Sequence, residues 1–261
     1  MPGRFSNLEF DDEQRAAEFH LGQDVVQRDE QNALDRAQEE NRWGRFEAAL
    51  RMYTRCLQEN RAAVPAWVGQ VQMLVELGEY HEARVWSDKA LELFRNNGEL
   101  LAAKAQACAR LKDLRSAIQC SDGALQSPGS SPWRWQARGE VLLAKGQRYF
   151  DECFLKAVSE PTADWFDRVI VARIYLYYGR ATNALHFLKQ ALELEPAHGY
   201  IWFEMGNCQR QLGMISAART DYERCLELRS DYREAKEALH SLRSTSPVGW
   251  LRGVFRRWGG R

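Results

Sequence analysis

The chain has 261 residues, 45% of them apolar, enough to build a large core. Lys plus Arg and Asp plus Glu are both 36, so the formal net charge is zero. That balance excludes a general nucleic-acid binder, which needs a basic field.

The charge is nonetheless unevenly placed. Residues 11–40 hold ten acids and three arginines, whereas residues 229–261 hold eight bases and three acids. The opening stretch, MPGRFSNLEFDDEQ, has no apolar stretch of the signal-peptide kind. No apolar run reaches the roughly 18 residues a membrane span needs, so a cytoplasmic protein is expected. Residues 1–29 read as an acidic N-terminal segment. Within it, 11–28 reads as a helix with acids in its first turn, where the helix dipole favours them. Ala17, Leu21 and Val25 share one of its faces, suited to capping the element that follows.

From residue 30 three ladders run in step. Gly44, Gly78, Lys112, Gly146, Gly179 and Gly213 are spaced by 34, 34, 34, 33 and 34 residues. Ala49, Ala83, Ala117, Ala184 and Ala218 keep the same period, as do Cys56-Leu57, Ala90-Leu91, Ala124-Leu125, Ala157-Val158, Ala191-Leu192 and Cys225-Leu226. The ladders define six units: 30–63, 64–97, 98–131, 132–164, 165–198 and 199–232. Each unit reads as two helices of about a dozen residues. The glycine ends the first helix, because it adopts the left-handed cap conformation without strain. The small residues let the two helices approach. One hairpin cannot bury its apolar stripe alone, so the units stack.

Two units depart from the pattern. In the first, Arg36 and Glu40 stand where apolar residues are usual, which suits a terminal unit with a wet outer face. The fourth is one residue short, predicting an irregular joint near 146–153 with Cys153 as the candidate for its small position. Residues 233–243 read as a solubilising C-terminal capping helix. Residues 244–261 form a basic tail in which Trp250, Leu251, Val254, Phe255 and Trp258 take one helical face and Arg252, Arg256 and Arg257 the other. Three readings of the tail stand open: a motif for a partner groove, contact with an anionic membrane, or packing on the solenoid itself.

The unit resembles the tetratricopeptide repeat, most closely in Trp202, Met205-Gly206, Ala218, Tyr222 and Cys225-Leu226. The resemblance covers residues 30–232. It implies an all-α fold, a right-handed superhelical solenoid of antiparallel helix pairs, whose concave face binds protein. In that family, positions 2, 5, 9 and 12 of the first helix of each unit line the groove. The peptide-binding candidates are accordingly Gln72, Gln106, Trp133, Glu140, Phe166, Arg173, Tyr200, Phe203, Asn207 and Arg210. Amides suit a peptide backbone, and aromatics supply area. The carboxylate clamp of chaperone-binding members is missing, with Leu34, Gln38, Gly69, Glu99 and Ala103 at its positions.

Chemistry finds no anchor. There is no phosphate-cradling glycine loop. His20, His81, His186, His198 and His240 are scattered without metal-ligand spacing. The six cysteines form no C-x-x-C pair and read as buried free thiols in a reducing compartment. No catalytic residue, metal or cofactor is assigned. The expected function is that of a non-enzymatic scaffold or adaptor holding a peptide or helix of a client in its concave groove. The alternatives are a peripheral membrane assembly factor at the inner face of a membrane, anchored by the tail, and a self-assembling structural protein whose acidic start meets the basic end of another copy.

Overall fold

A computed structural model describes residues 31–244, and every described element is helical. The N-terminal acidic segment and the Trp/Arg tail therefore lie outside the described residues. The helices alternate as A and B members of hairpins. The first pair is α1 (31–42) and α2 (Phe46–Glu59). Next come α3 (Val64–Glu76) with α4 (Tyr80–Leu93), and α5 (Gly98–Arg110) with α6 (Leu114–Gln126). The fourth pair is α7 (Pro132–Ala144) and α8 (Phe150–Ser159). The last are α9 (Trp165–Tyr177) with α10 (Ala181–Leu194), and α11 (Gly199–Gln211) with α12 (Ile215–Leu228). A single helix, α13 (Arg233–Ser244), follows.

Local chemistry explains where the helices begin and end. Asn97, Asp113, Ser131 and Asp164 accept backbone N–H groups at the starts of α5, α6, α7 and α9, and Pro132 opens α7. Each A helix stops at a Schellman turn. At Gly213, for example, the residue's own N–H donates to Arg210 O and that of Met214 to Gln209 O. Lys112 performs the same turn with φ 64°, a left-handed conformation that a side chain disfavours.

The alanine ladder sits at the helix–helix seams, where Ala49, Ala83, Ala117, Ala184 and Ala218 are fully buried. Aromatic side chains then reach beneath neighbouring backbones. A Cβ built on Gly206 would lie 2.5 Å from Tyr222 Cε1, so only glycine admits that ring. Phe154 meets Gly139 in the same way, which makes Phe154 the fourth unit's counterpart of Tyr222. The missing residue therefore precedes it. A left-handed Tyr149 (φ 74°) stands before α8, which has only ten residues. Cys153 is buried, but Phe154 fills the space against Gly139. All six cysteines are buried and none is in a disulfide.

The solenoid closes on itself. A core cluster running from α7 to α13 also takes in Trp43 from the turn between α1 and α2 and Phe46 from the start of α2. That turn lies against the beginnings of α9, α11 and α13. Arg42 Nη1 is 2.8 Å from Asp164 Oδ2, and its guanidinium lies 4.6 Å over the Trp165 ring. Tyr232 Oη donates to Trp43 O at 2.9 Å across 189 residues of sequence. Arg229 lies 4.3 Å above the Trp43 ring. The concave groove of the later repeats thus receives the first A–B turn of the same chain.

Candidate functional site

The A helices line the inner face of the closed solenoid, and two charge networks cross it. Near the ends of α3 and α9, Arg173 Nε and Nη2 hold Glu76 Oε2 at 3.0 and 2.5 Å. On its other side Arg173 Nη1 reaches Glu204 Oε1 at 2.5 Å. Asn207 Nδ2 donates to Glu204 Oε2 at 3.3 Å, and Tyr222 Oη donates to Asn207 Oδ1 at 2.8 Å. The second network centres on Glu140. It accepts from Arg110 Nε at 2.7 Å, Gln106 Nε2 at 2.8 Å and Tyr178 Oη at 3.4 Å. Arg110 also donates to Val75 O at 3.2 Å and lies 4.6 Å from the Tyr177 ring.

The titration of these groups follows from burial set against charge. Burial pushes the Glu76 carboxyl up, but the guanidiniums of Arg173 and Arg110 together outweigh it and hold the carboxyl below its usual range. Burial likewise opposes the charge of Arg110, and Glu140 and Glu76 more than restore it. Glu76, Arg110 and Arg173 are therefore ionised near neutral pH. At the closure, His198 lies between the rings of Trp43 (3.9 Å) and Trp165 (4.3 Å). Burial, with Arg42 and Arg229 close by, pushes its imidazole down to about 4.

Two adjoining cavities flank Arg173 and Glu204. One, of 510 Å³, opens among the C-terminal ends of α3, α5, α9 and α11 and is walled by Tyr80, Tyr177, Arg110 and Asn207. The other, of 530 Å³, lies between the α1–α2 turn and the start of α13, walled by Phe46, Arg51, Phe203 and Tyr232. Both include Arg173, Glu204 and Leu77.

The groove candidates fall into distinct settings. Arg173, Asn207 and Arg210 border the first cavity, and Tyr200 and Phe203 the second. Gln106 and Glu140 are bonded to each other and fully buried. Tyr200 is buried against Gly44, whose Cβ would lie 2.3 Å from Tyr200 Cε2. Phe203 packs among Tyr200, Tyr222 and Tyr232. Phe166 faces Arg42 at the closure. Trp133 packs between clusters of different repeats, and Gln72 is half-buried on α3. Sequence reasoning did not single out Glu76, Arg110, Tyr177 or Glu204. Glu76, Arg110 and Tyr177 close the last turns of their A helices, where Glu76 and Arg110 are one repeat apart and opposite in charge, whereas Glu204 lies mid-helix.

Paired helices, left-handed turns at a fixed period and a polar inner face define a helical-repeat solenoid. Residues 200–232 match the family model described as tetratricopeptide repeat, and the fold is a tetratricopeptide-repeat-like helical solenoid. A tetratricopeptide repeat protein from Parabacteroides merdae superposes with a TM-score of 0.51 at 18% identity, over 80% of this chain and 82% of that one. Mouse superkiller complex protein 3 is 29% identical over 168 residues, 62% of this chain and 11% of that protein. The Arabidopsis thaliana protein CTR9 homolog is 29% identical over 129 residues, 48% of this chain and 12% of that protein. This chain thus spans only about a ninth of the length of these curated relatives. Proteins of this fold generally mediate protein–protein interaction. Among the described residues no helix is long and apolar enough to cross a membrane.

Proposed function

We propose that this protein is a non-enzymatic binding scaffold of a reducing compartment, the cytoplasm, and that a short segment of a client protein enters the inner face beside Arg173. The observation that carries this reading is the pair of adjoining cavities with aromatic, cationic and carboxylate walls. Each is roomy enough for a few side chains and not for a helix along the whole groove, because the α1–α2 turn occupies the stretch between the starts of α9 and α13. The six buried thiols, none of them in a disulfide, favour the reducing location.

The fixed charges set the ligand chemistry. Arg173 and Arg110 are already neutralised by Glu76, Glu204 and Glu140, so a client gains less from an added charge than from aromatic area and hydrogen bonds. Tyr80 and Tyr177, with ring centroids 6.2 Å apart, offer that area at the mouth of the first cavity. The test is affinity capture from native lysate with three full-length proteins: wild type, Tyr80→Ala/Asn207→Ala and Arg51→Glu/Glu237→Arg. Loss of bound proteins in a folded variant supports the cavity it alters, and the same partners on all three would refute the assignment.

A further inference from the structure

We propose that the A–B-turn edge of repeats three to six is a docking face for an anionic lipid bilayer, an activity separate from client binding on the inner face. The A helices of successive repeats run side by side, so their C-terminal ends and the turns that follow form one edge. On that edge Lys112, Arg115, Lys145, Arg148, Arg180 and Arg210 are exposed. None of them joins an ion pair among the described residues. The acids of the same edge are Asp113, Asp151 and Glu152. Two of these are engaged: Asp113 accepts from Ser116 N, and Asp151 accepts from Tyr175 Oη. Repeat two carries Glu79 and Glu82 at its turn, so the basic stretch begins at repeat three.

Large apolar side chains stand among these bases. Tyr149 is 68% exposed, Met214 49% and Ile215 42%, and Leu212 is exposed beside them. These make up four of the nine large apolar side chains that the described residues leave exposed, so the clustering on one edge is not a scatter of ordinary surface residues. Their shape decides the partner. Tyr149, Leu212, Met214 and Ile215 occupy turn tips and line neither inner cavity. A peptide or helix needs a groove to bury its apolar face. Tips separated by cations suit a bilayer interface, with apolar groups in the headgroup region and Arg and Lys at the phosphates.

The topology adds a second, independent observation. Leu242, near the end of α13, packs with Ala218 and Tyr222 from the first half of α12, while Ala235 joins the cluster that holds Cys225. The helix α13 therefore runs antiparallel to α12 and delivers the chain at the same edge as the Leu212–Met214 turn. The sequence that continues from there contains Trp250, Phe255, Trp258, Arg252, Arg256 and Arg257. The chain beyond residue 244 therefore leaves from the basic, apolar edge rather than from the opposite one.

The experiment is co-sedimentation of the full-length protein with vesicles of phosphatidylcholine alone and of phosphatidylcholine with phosphatidylserine. Two edge variants with the tail intact, Met214→Glu/Ile215→Glu and Arg148→Glu/Arg180→Glu, are compared with a charge reversal elsewhere, Arg95→Glu. The wild type is expected to bind the anionic vesicles, to release with added salt and to ignore the neutral ones. Each base near an anionic surface contributes roughly five-fold in binding, so reversing two is expected to cost at least about ten-fold. Arg95→Glu is expected to stay within about two-fold of wild type. A wild type that ignores anionic vesicles, edge variants that bind undiminished, or an equal loss in Arg95→Glu overturns the proposal. So does a result in which the edge variants lose soluble poly-glutamate but keep the vesicles, which makes the partner an acidic polypeptide.

Discussion

Replacing Trp43 by alanine is expected to release His198 from its depressed titration. In the closed solenoid the imidazole lies 3.9 Å from the Trp43 ring and 4.3 Å from that of Trp165. Burial, followed by the charges of Arg42 and Arg229, lowers it from 6.5 to about 4. At about 1.4 kcal/mol per tenfold, the difference sets an upper bound of about 3 kcal/mol against the charged form, which solvent screening of the partly exposed ring reduces. Because the folded-state value is the lower one, the stability held by neutral His198 is complete above pH 6.5 and is lost as the pH falls from there toward 4. Trp43→Ala opens one face of the ring to water, so the titration midpoint moves up toward 6.5 and the loss of stability over that acid window shrinks. The truncation itself costs about 3 kcal/mol at neutral pH, the low end for Trp→Ala because the indole is only part-buried. Histidine NMR titrations of wild type and variant, with His198 assigned by His198→Gln, read the shift directly. A midpoint near 4 in Trp43→Ala, or near 6.5 in the wild type, refutes the argument that the first turn buries this imidazole.

Three further perturbations test the scaffold. Lys112→Gly relieves a left-handed lysine costing about 1 kcal/mol while freeing the unfolded chain by somewhat less, so a net gain of about 0.5 kcal/mol and a Tm rise of about 1–2 °C are expected. Gly206→Ala drives a Cβ to 2.5 Å from Tyr222 Cε1 and is expected to lower stability by about 1–3 kcal/mol in urea melts. Asp221 is buried with Oδ2 unpaired, and burial raises its carboxyl from 3.8 to about 6. The raised value means that the penalty is absent below pH 3.8 and grows as the pH climbs through about 6. Asp221→Asn is therefore expected to stabilise by up to about 3 kcal/mol at neutral pH and to match wild type near pH 4 in paired thermal melts.

The repeat frame was legible because it rests on backbone sterics and short-range packing. Glycine at a left-handed cap and alanine at a helix seam are constraints each unit meets alone, so they recur at a fixed period. The short fourth repeat was legible as an irregularity, but its cure was not: Phe154 beneath Gly139 depends on where the deletion is absorbed. The inner face was harder to read. Position 9 points to Arg173, Glu140 and Asn207, yet their partners Glu76, Arg110 and Glu204 come from other positions, on other helices for Arg173 and Glu140 and three residues back on the same helix for Asn207. The closure left no periodic trace at all. Trp43 and Tyr232 are 189 residues apart, and their meeting depends on the summed small rotations of all the intervening hairpins.

That meeting alters how the chain is expected to unfold. An open array of repeats loses stability from its ends inward, each unit answering only to its neighbours. Here the first and last hairpins share a seam, so fraying at one end exposes the Trp43–His198 stack and removes a contact from the other. The terminal units, ordinarily the first to melt, become mutual supports, and loss of either is felt at both. The sequence separation of these contacts also delays their formation, since the intervening units must be ordered before the ends can find each other. Hydrogen exchange is therefore expected to show α2 and α11 opening as one cooperative group, although they are remote in sequence.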